Sequence, residues 1–329
     1  FLGVDRVKSE SMSLFRKLRT SNPHLHIILL TPLNKEGANV AIQGLKEGAI
    51  DYVTKPEKSR GFILAEKHFH KRVIPLIKAI PKLNRKMRSE IASAGDRKVS
   101  KEFFQNVGRM NPANIELVVV GSCVGGVSSN FQILSALPEN LPVPIVIVQH
   151  MPKIYTEVFS AKLNESTPLK VIEAKNGSLL EPGTVYIAPG GFHSIIKCES
   201  GRKRIELHKG PRVHRCRPSI DVLLRSAVQE FDGQMLGIFL SGSGNDGALG
   251  ALKILEYGGS ILVESRESAL ISELAQKVKI LNSDIPERSA EKLSGEIIKA
   301  IKAASKQKKF RFTSQAYGSS GSYSGSIEA

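Results

Sequence analysis

Tryptophan is absent from the 329 residues, and only three cysteines are present, at positions 123, 198 and 216. Their scattered spacing is neither a disulfide framework nor a sequence pattern for zinc, which points to a reducing cytoplasm. No apolar run approaches the length needed to span a bilayer, so no stable membrane insertion is expected. The first residues, Phe1-Leu-Gly-Val-Asp5-Arg-Val, lack the basic start and long apolar middle of a signal peptide. Aromatic residues make up only 6% of the chain, which matters for reading its charge.

Lys and Arg outnumber Asp and Glu by 16, and the excess is local. Residues 55–109 hold 15 basic against 5 acidic side chains, or +10 of the total. A nucleic-acid surface would interleave aromatic residues for base stacking, and this stretch has few. A solvated basic linker over 62–113 is the expectation, with partial helix at Ile74–Ile80 and no nucleic-acid partner. The hydrophobic content of 41% and charged content of 24% are those of a globular chain with room for two domains.

The most informative stretch is Ile115-Glu-Leu-Val-Val-Val-Gly121-Ser-Cys123-Val-Gly125-Gly126. A β-branched run ending in glycines reads as a buried strand and a tight turn able to open a helix. Gly121-x-Cys123-x-Gly125 has the spacing of a nucleophile elbow, with a thiol where a hydroxyl is commoner. Two further apolar runs behave alike. Val143–Val148 leads into Gln149-His150-Met-Pro152, and Met235–Leu240 leads into Ser241-Gly-Ser-Gly-Asn245-Asp246-Gly247-Ala248. Strand ends of a parallel sheet converge on one rim, and Cys, His and Asp there are the types that a nucleophile, its base and an orienting acid require. Each also has a plain alternative. Cys123 alone reads equally as a small buried hydrophobe, His150 as a partner for a loop carbonyl, and Asp246 as a cap for a helix starting near Ala248.

The opening 61 residues alternate strand and helix: Phe1–Val4, a helix at Met12–Arg19, a strand at Ile27–Leu30, a helix at Gly37–Glu47 and a strand within Gly48–Lys55. Leu14, Phe15 and Leu18 form the expected inner face of the first helix. A cis peptide is expected before Pro56. The motif Gly48-Ala-Ile-Asp-Tyr-Val-Thr-Lys55-Pro56, with Leu30-Thr31 and Asp5 after strands, resembles the second half of a response-regulator receiver domain. That resemblance implies a partial flavodoxin-like fold, with Asp5 as phosphate acceptor and Thr31 and Lys55 against the phosphoryl oxygens. Mg²⁺ would serve phosphorylation only if an acidic pair preceded Phe1.

Residues 115–264 resemble the catalytic domain of the chemotaxis protein-glutamate methylesterase family, CheB, which couples a receiver to an esterase in this order. The matching pieces are Gly121–Gly126, Val148–Pro152, Tyr186-Ile-Ala-Pro-Gly190, Arg217-Pro-Ser-Ile-Asp-Val222 and Gly244–Ala248. The resemblance implies a doubly wound, mainly parallel α/β catalytic domain over 114–303. It implies His150 as base, Asp246 as acid and Cys123 at the position of the family's serine, with no cofactor for catalysis. Chemoreceptors and a chemotaxis histidine kinase are the implied partners. Val124, Ser243 and Ser265–Lys279 depart from the family pattern. The readings that follow are a Cys-dependent methylesterase that also deamidates glutamine, a silent module that binds the same partners, and another thiol hydrolase. The Lys-, Gly- and Ser-rich end, 304–329, is expected to be a disordered tail.

Overall fold

The computed structural model describes residues 1–55, 70, 72–81 and 115–317, with side chains described as far as 303. Three short strands, β1 (Leu2–Gly3), β2 (Ile28–Thr31) and β3 (Asp51–Thr54), form a parallel sheet in the order β1-β2-β3. Helices α1 (Glu10–Ser21) and α2 (Lys35–Lys46) connect them. Each helix starts where a side chain takes up a free backbone N–H: Ser9 accepts from Met12 N at 3.2 Å, and Asn34 from Gly37 N at 2.8 Å. The inner face of α1 is Met12 and Phe15, while Leu14 is exposed, so the expected face is off by part of a turn. The expected cis peptide before Pro56 lies outside the described residues.

Residues 72–81 form helix α3 within the expected solvated linker, and it is not solvated throughout. Val73 and Leu76 are buried with Ile28 and Val53 from the first sheet and Val124 from the catalytic part. Apolar residues at helical spacing gave this stretch a face to bury, and the net charge of the region hid it.

The catalytic part is a seven-stranded parallel sheet in the order β13-β12-β11-β4-β5-β8-β6. Its strands are β4 (Leu117–Ser122), β5 (Ile145–Gln149), β6 (Lys170–Glu173), β8 (Thr184–Ile187), β11 (Met235–Phe239), β12 (Ser260–Glu264) and β13 (Glu287–Arg288). A small antiparallel sheet, β7 (Ser178–Leu179), β9 (His193–Glu199) and β10 (Arg202–His208), lies beside it. Successive residues of a strand face opposite sides, and the core divides accordingly. Val118 and Val120 join α4 (Gly126–Ser135), α5 (Lys153–Asn164) and α9 (Ala290–Tyr317) on one side. Leu117 and Val119 join α6 (Ile220–Glu230), α7 (Ala248–Glu256) and α8 (Glu273–Lys279) on the other. Both faces are covered, which is why the strands read as unbroken apolar runs.

The first core also takes in Val4, Phe15, Ile42 and Tyr52, so the receiver-like half and the catalytic half share it. Helix α9 runs to Tyr317, through the first part of the stretch that the composition assigns to the tail. No glycine or proline interrupts the sequence between Gly295 and Gly318, and Ala, Lys and Gln propagate a helix well. No helix among the described residues is long and apolar enough to cross a membrane.

Candidate active site

The chain turns at the end of β4 to make the elbow. Gly125 has φ 82°, a left-handed conformation that suits glycine, and α4 begins at the next residue. Cys123 is held by its backbone: its N–H donates to Ser241 O at 3.0 Å, and its carbonyl accepts from Gln149 Nε2 at 2.7 Å. Ser122 points the other way, into the core, where its hydroxyl donates to Gln149 Oε1 at 2.6 Å. The thiol, not the neighbouring hydroxyl, faces the cleft.

His150 follows β5 directly, and its Nε2 lies 2.8 Å from Asp246 Oδ2. The other ring nitrogen, Nδ1, is left for the thiols. Cys216 Sγ lies 3.8 Å from Nδ1, and the Cys123 thiol lines the same cleft as the ring. Asp246 does not cap α7, whose N-cap is Gly247. It sits instead over the start of α6, accepting from Ser219 Oγ at 2.6 Å, Ile220 N at 2.8 Å and Asp221 N at 3.2 Å. A carboxylate fixed by free helix N–H groups keeps its charge and holds the imidazole in one tautomer. All three groups lie where strand order reverses, since β4 has β5 on one side and β11 on the other.

The charges reinforce one another. Burial would push the Cys123 thiol up, but the hydrogen bond and charge of His150, the Arg72 cation and the Val124 amide bring it down to about 7. Burial pulls His150 down, and its bonds to Asp246 and Cys123 overcome that, raising it well above the usual imidazole value. Burial pushes Asp246 up, and His150, Ser219 and Ile220 N more than offset it, leaving it below the ordinary carboxylate value. The surroundings favour a thiolate beside an imidazolium: a nucleophile that ionises near neutral pH and an acid that carries its proton.

A cleft of about 1010 Å³ opens over these groups. Its walls come from both halves, with Tyr52, Lys55 and Arg72 from one and Lys153, Arg212, Arg215, Arg217 and Lys277 from the other. The elbow is also braced from the receiver-like half, where buried Asp51 accepts from Gly125 N at 2.9 Å. Tyr52 stacks on Tyr155 with ring centroids 5.0 Å apart.

The receiver-type residues are divided. Lys55 Nζ lies 2.6 Å from Asp5 Oδ1 at the surface. Thr31 is buried, and its hydroxyl shares a 2.9 Å hydrogen bond with Tyr155. Asp5 belongs to no cluster of metal-capable side chains among the described residues.

The profile of the CheB methylesterase family matches residues 118–295, more than half the chain, with Cys123, His150 and Asp246 inside the match. The chain belongs to the CheB methylesterase family. A Thermotoga maritima relative named protein-glutamate methylesterase/protein-glutamine glutaminase is 32% identical over 263 residues, covering 80% of this chain and 73% of the relative. A relative of the same name from Trichodesmium erythraeum is 31% identical, covering 82% and 76%. The crystal structure of the Thermotoga maritima CheB methylesterase catalytic domain superposes with a TM-score of 0.55 at 34% identity, covering 57% of this chain and 99% of that one.

Within this CheB fold, sequence reasoning missed Cys216, Asp51 and Arg72. Cys216 carried a usable signal, because it immediately precedes the Arg217-Pro-Ser piece that leads into α6. Asp51 is a carboxylate in an otherwise apolar strand, which demands a buried partner. Arg72 had no local signal, since only the packing of α3 brings it to the cleft.

Proposed function

We propose that this chain is a Cys-dependent protein-glutamate methylesterase, acting on chemoreceptor glutamate methyl esters and deamidating receptor glutamines. The observation that carries this reading is the Cys123–His150–Asp246 array at the switch point of a CheB-family sheet. The Cys123 thiolate attacks the ester carbonyl carbon, and the carbonyl oxygen takes up the negative charge beside the Val124 amide. Collapse of this adduct breaks the C–O bond. The departing methoxide takes the proton from His150 Nδ1 and leaves as methanol, while the acyl group stays on sulfur as a thioester. Water then gives one proton to His150 and attacks the thioester, breaking the C–S bond and restoring the thiolate; the glutamic acid formed gives its remaining proton to solvent and leaves as the carboxylate. With glutamine, ammonia is the leaving group of the same first step. Asp246 holds the ring and stabilises its charged form throughout.

The basic walls of the cleft suit an acidic helical segment and the carboxylate product. We read this as a cytoplasmic protein whose partners are methyl-accepting chemoreceptors and, through the receiver-like half, a chemotaxis histidine kinase. In that half Asp5 is the phosphate acceptor, flanked by Lys55, with Thr31 reaching the phosphoryl group on release from Tyr155.

Methanol release from receptor membranes carrying labelled methyl esters tests the thiol. Wild type is expected to turn over and Cys123→Ala to fall to background, a loss of at least about 10³-fold, the scale for a deleted nucleophile. A silent wild type with an active Cys123→Ser would overturn the proposal and mark a decayed serine site. Activity retained in Cys123→Ala would mean that another group is the nucleophile.

A further inference from the structure

Cations ring the cleft, but most of them are already committed. Lys55 pairs with Asp5 at 2.6 Å, and Lys277 with Glu273 at 2.6 Å. Arg217 Nη1 donates to Lys209 O and Gly210 O, at 3.1 and 2.9 Å. Arg72 sits over the Tyr52 ring, 5.6 Å from its centroid, in the field of the buried Asp51 carboxylate. Lys153 sits over Phe192, and Arg212 Nη1 donates to Arg215 O at 3.5 Å. The side chain of Arg215 is different. It lines the cleft, is exposed, and has neither a hydrogen bond nor an ion pair among the described residues.

The backbone that carries it is strained. Val213 and Cys216 exchange backbone bonds at 2.8 and 3.2 Å, closing a two-residue turn over His214 and Arg215. Both central residues have positive φ, 49° and 63°, the type I′ geometry usually filled by Asn and Gly. A Cβ at such positions is unfavourable, and strain of this kind gathers where side chains are put to use. The turn is also pinned on two sides. His214 Nε2 lies 3.1 Å from the buried Asp221 Oδ2, and Cys216 Sγ lies 3.8 Å from His150 Nδ1. Arg215 is thus one residue, about 3.8 Å from Cα to Cα, from a contact with the imidazole. On a substrate helix, side chains three or four residues apart are about 5–6 Å apart at Cβ. A guanidinium anchored beside the base spans that distance.

We propose that Arg215 determines specificity in this cleft by reading a carboxylate that lies one helical turn from the glutamate methyl ester. The consequence for turnover rests on the esterase reading above; the charge preference in binding does not. Arginine suits the task, because its planar fork meets a carboxylate with two parallel N–H bonds and keeps its charge at any working pH. Hydrolysis turns a neutral ester into a carboxylate. One turnover therefore creates the recognised charge for the next ester along the same helix.

Two alanine-rich helical peptides, each with one central glutamate methyl ester, test the proposal. One carries Glu three and four residues to either side; the other carries Gln, of similar helix propensity. Anisotropy of the fluorescein-labelled peptides reads binding to the full chain in a Cys123→Ala background, where no ester is consumed. Methanol release by the wild type gives kcat/KM. At about 50 mM salt the Glu-flanked peptide is expected to bind about three- to tenfold tighter, with a similar advantage in kcat/KM. In Arg215→Gln that ratio is expected to fall below about twofold, and Arg215→Glu is expected to invert it. Arg202→Gln removes a cation of β10 outside the cleft lining and is expected to leave the ratio as it is. Circular dichroism checks that each variant is folded. Equal affinities for the two peptides, no measurable binding of either, or a preference that survives in Arg215→Gln overturns the proposal. A binding preference that Arg215→Gln abolishes, in a chain that releases no methanol, keeps the charge reading and removes the esterase mechanism.

Discussion

Cys123 and Cys198 carry the same functional group in different surroundings, one against an imidazolium and a guanidinium and the other exposed at a strand end. Thiolate is the form that alkylates, so the rate of Cys123 modification follows its ionisation. With the thiol at about 7, the rate with iodoacetamide is expected to rise through pH 6–8 and reach half its plateau near pH 7. Removing the imidazole removes both the hydrogen bond and the charge that favour the thiolate, leaving burial to act against it. In His150→Ala the inflection is therefore expected to move up by more than one pH unit. An unchanged inflection, followed by mass spectrometry of the modified peptide, would show that His150 does not set the thiol's ionisation.

The elbow is an element whose shape depends on one backbone angle. Gly125 has φ 82°, and a Cβ there would lie 2.5 Å from Ser241 Oγ and 2.6 Å from Leu270 Cβ. Left-handed backbone costs a non-glycine residue about 1–2 kcal/mol, and displacing a packed neighbour adds about 1–3 kcal/mol. Gly125→Ala is expected to lower unfolding stability by roughly 2–5 kcal/mol in denaturant titrations. Strand-to-elbow geometry of this kind was legible in the sequence because apolar runs and glycines are local signals. So were the strand ends that carry Cys123, His150 and Asp246. The antiparallel sheet of β7, β9 and β10 was not read, because charged residues such as Lys197, Arg202 and Lys203 dilute its alternation. Leu270 and Ile271 were read as a departure from the family pattern. In space Ile271 closes the underside of the elbow, its N–H donating to Ser241 Oγ at 2.9 Å. Cys216 escaped for a related reason: what places it is a turn folded back onto His150, and contacts between distant segments leave no period in the sequence.

At the scale of the molecule, the two halves that the sequence separates are joined in space. They share a core, and polar contacts cross between them: Tyr155 Oη donates to Pro32 O at 2.8 Å, and Lys46 Nζ to Ser166 Oγ at 2.6 Å. A chain cut by a protease site engineered after Pro81 is therefore expected to elute in size-exclusion chromatography as one noncovalent complex of the uncut size. Two separate peaks in buffer without denaturant would contradict a shared core. The bond from Gly125 N to Asp51 has a consequence for how such a protein can change over generations. Recombination that exchanges the first half for another receiver-like segment must bring a carboxylate to the place of Asp51 and an apolar neighbour for Val124. Otherwise the esterase half inherits an unbraced nucleophile turn, so the two halves are transmissible only as a matched pair.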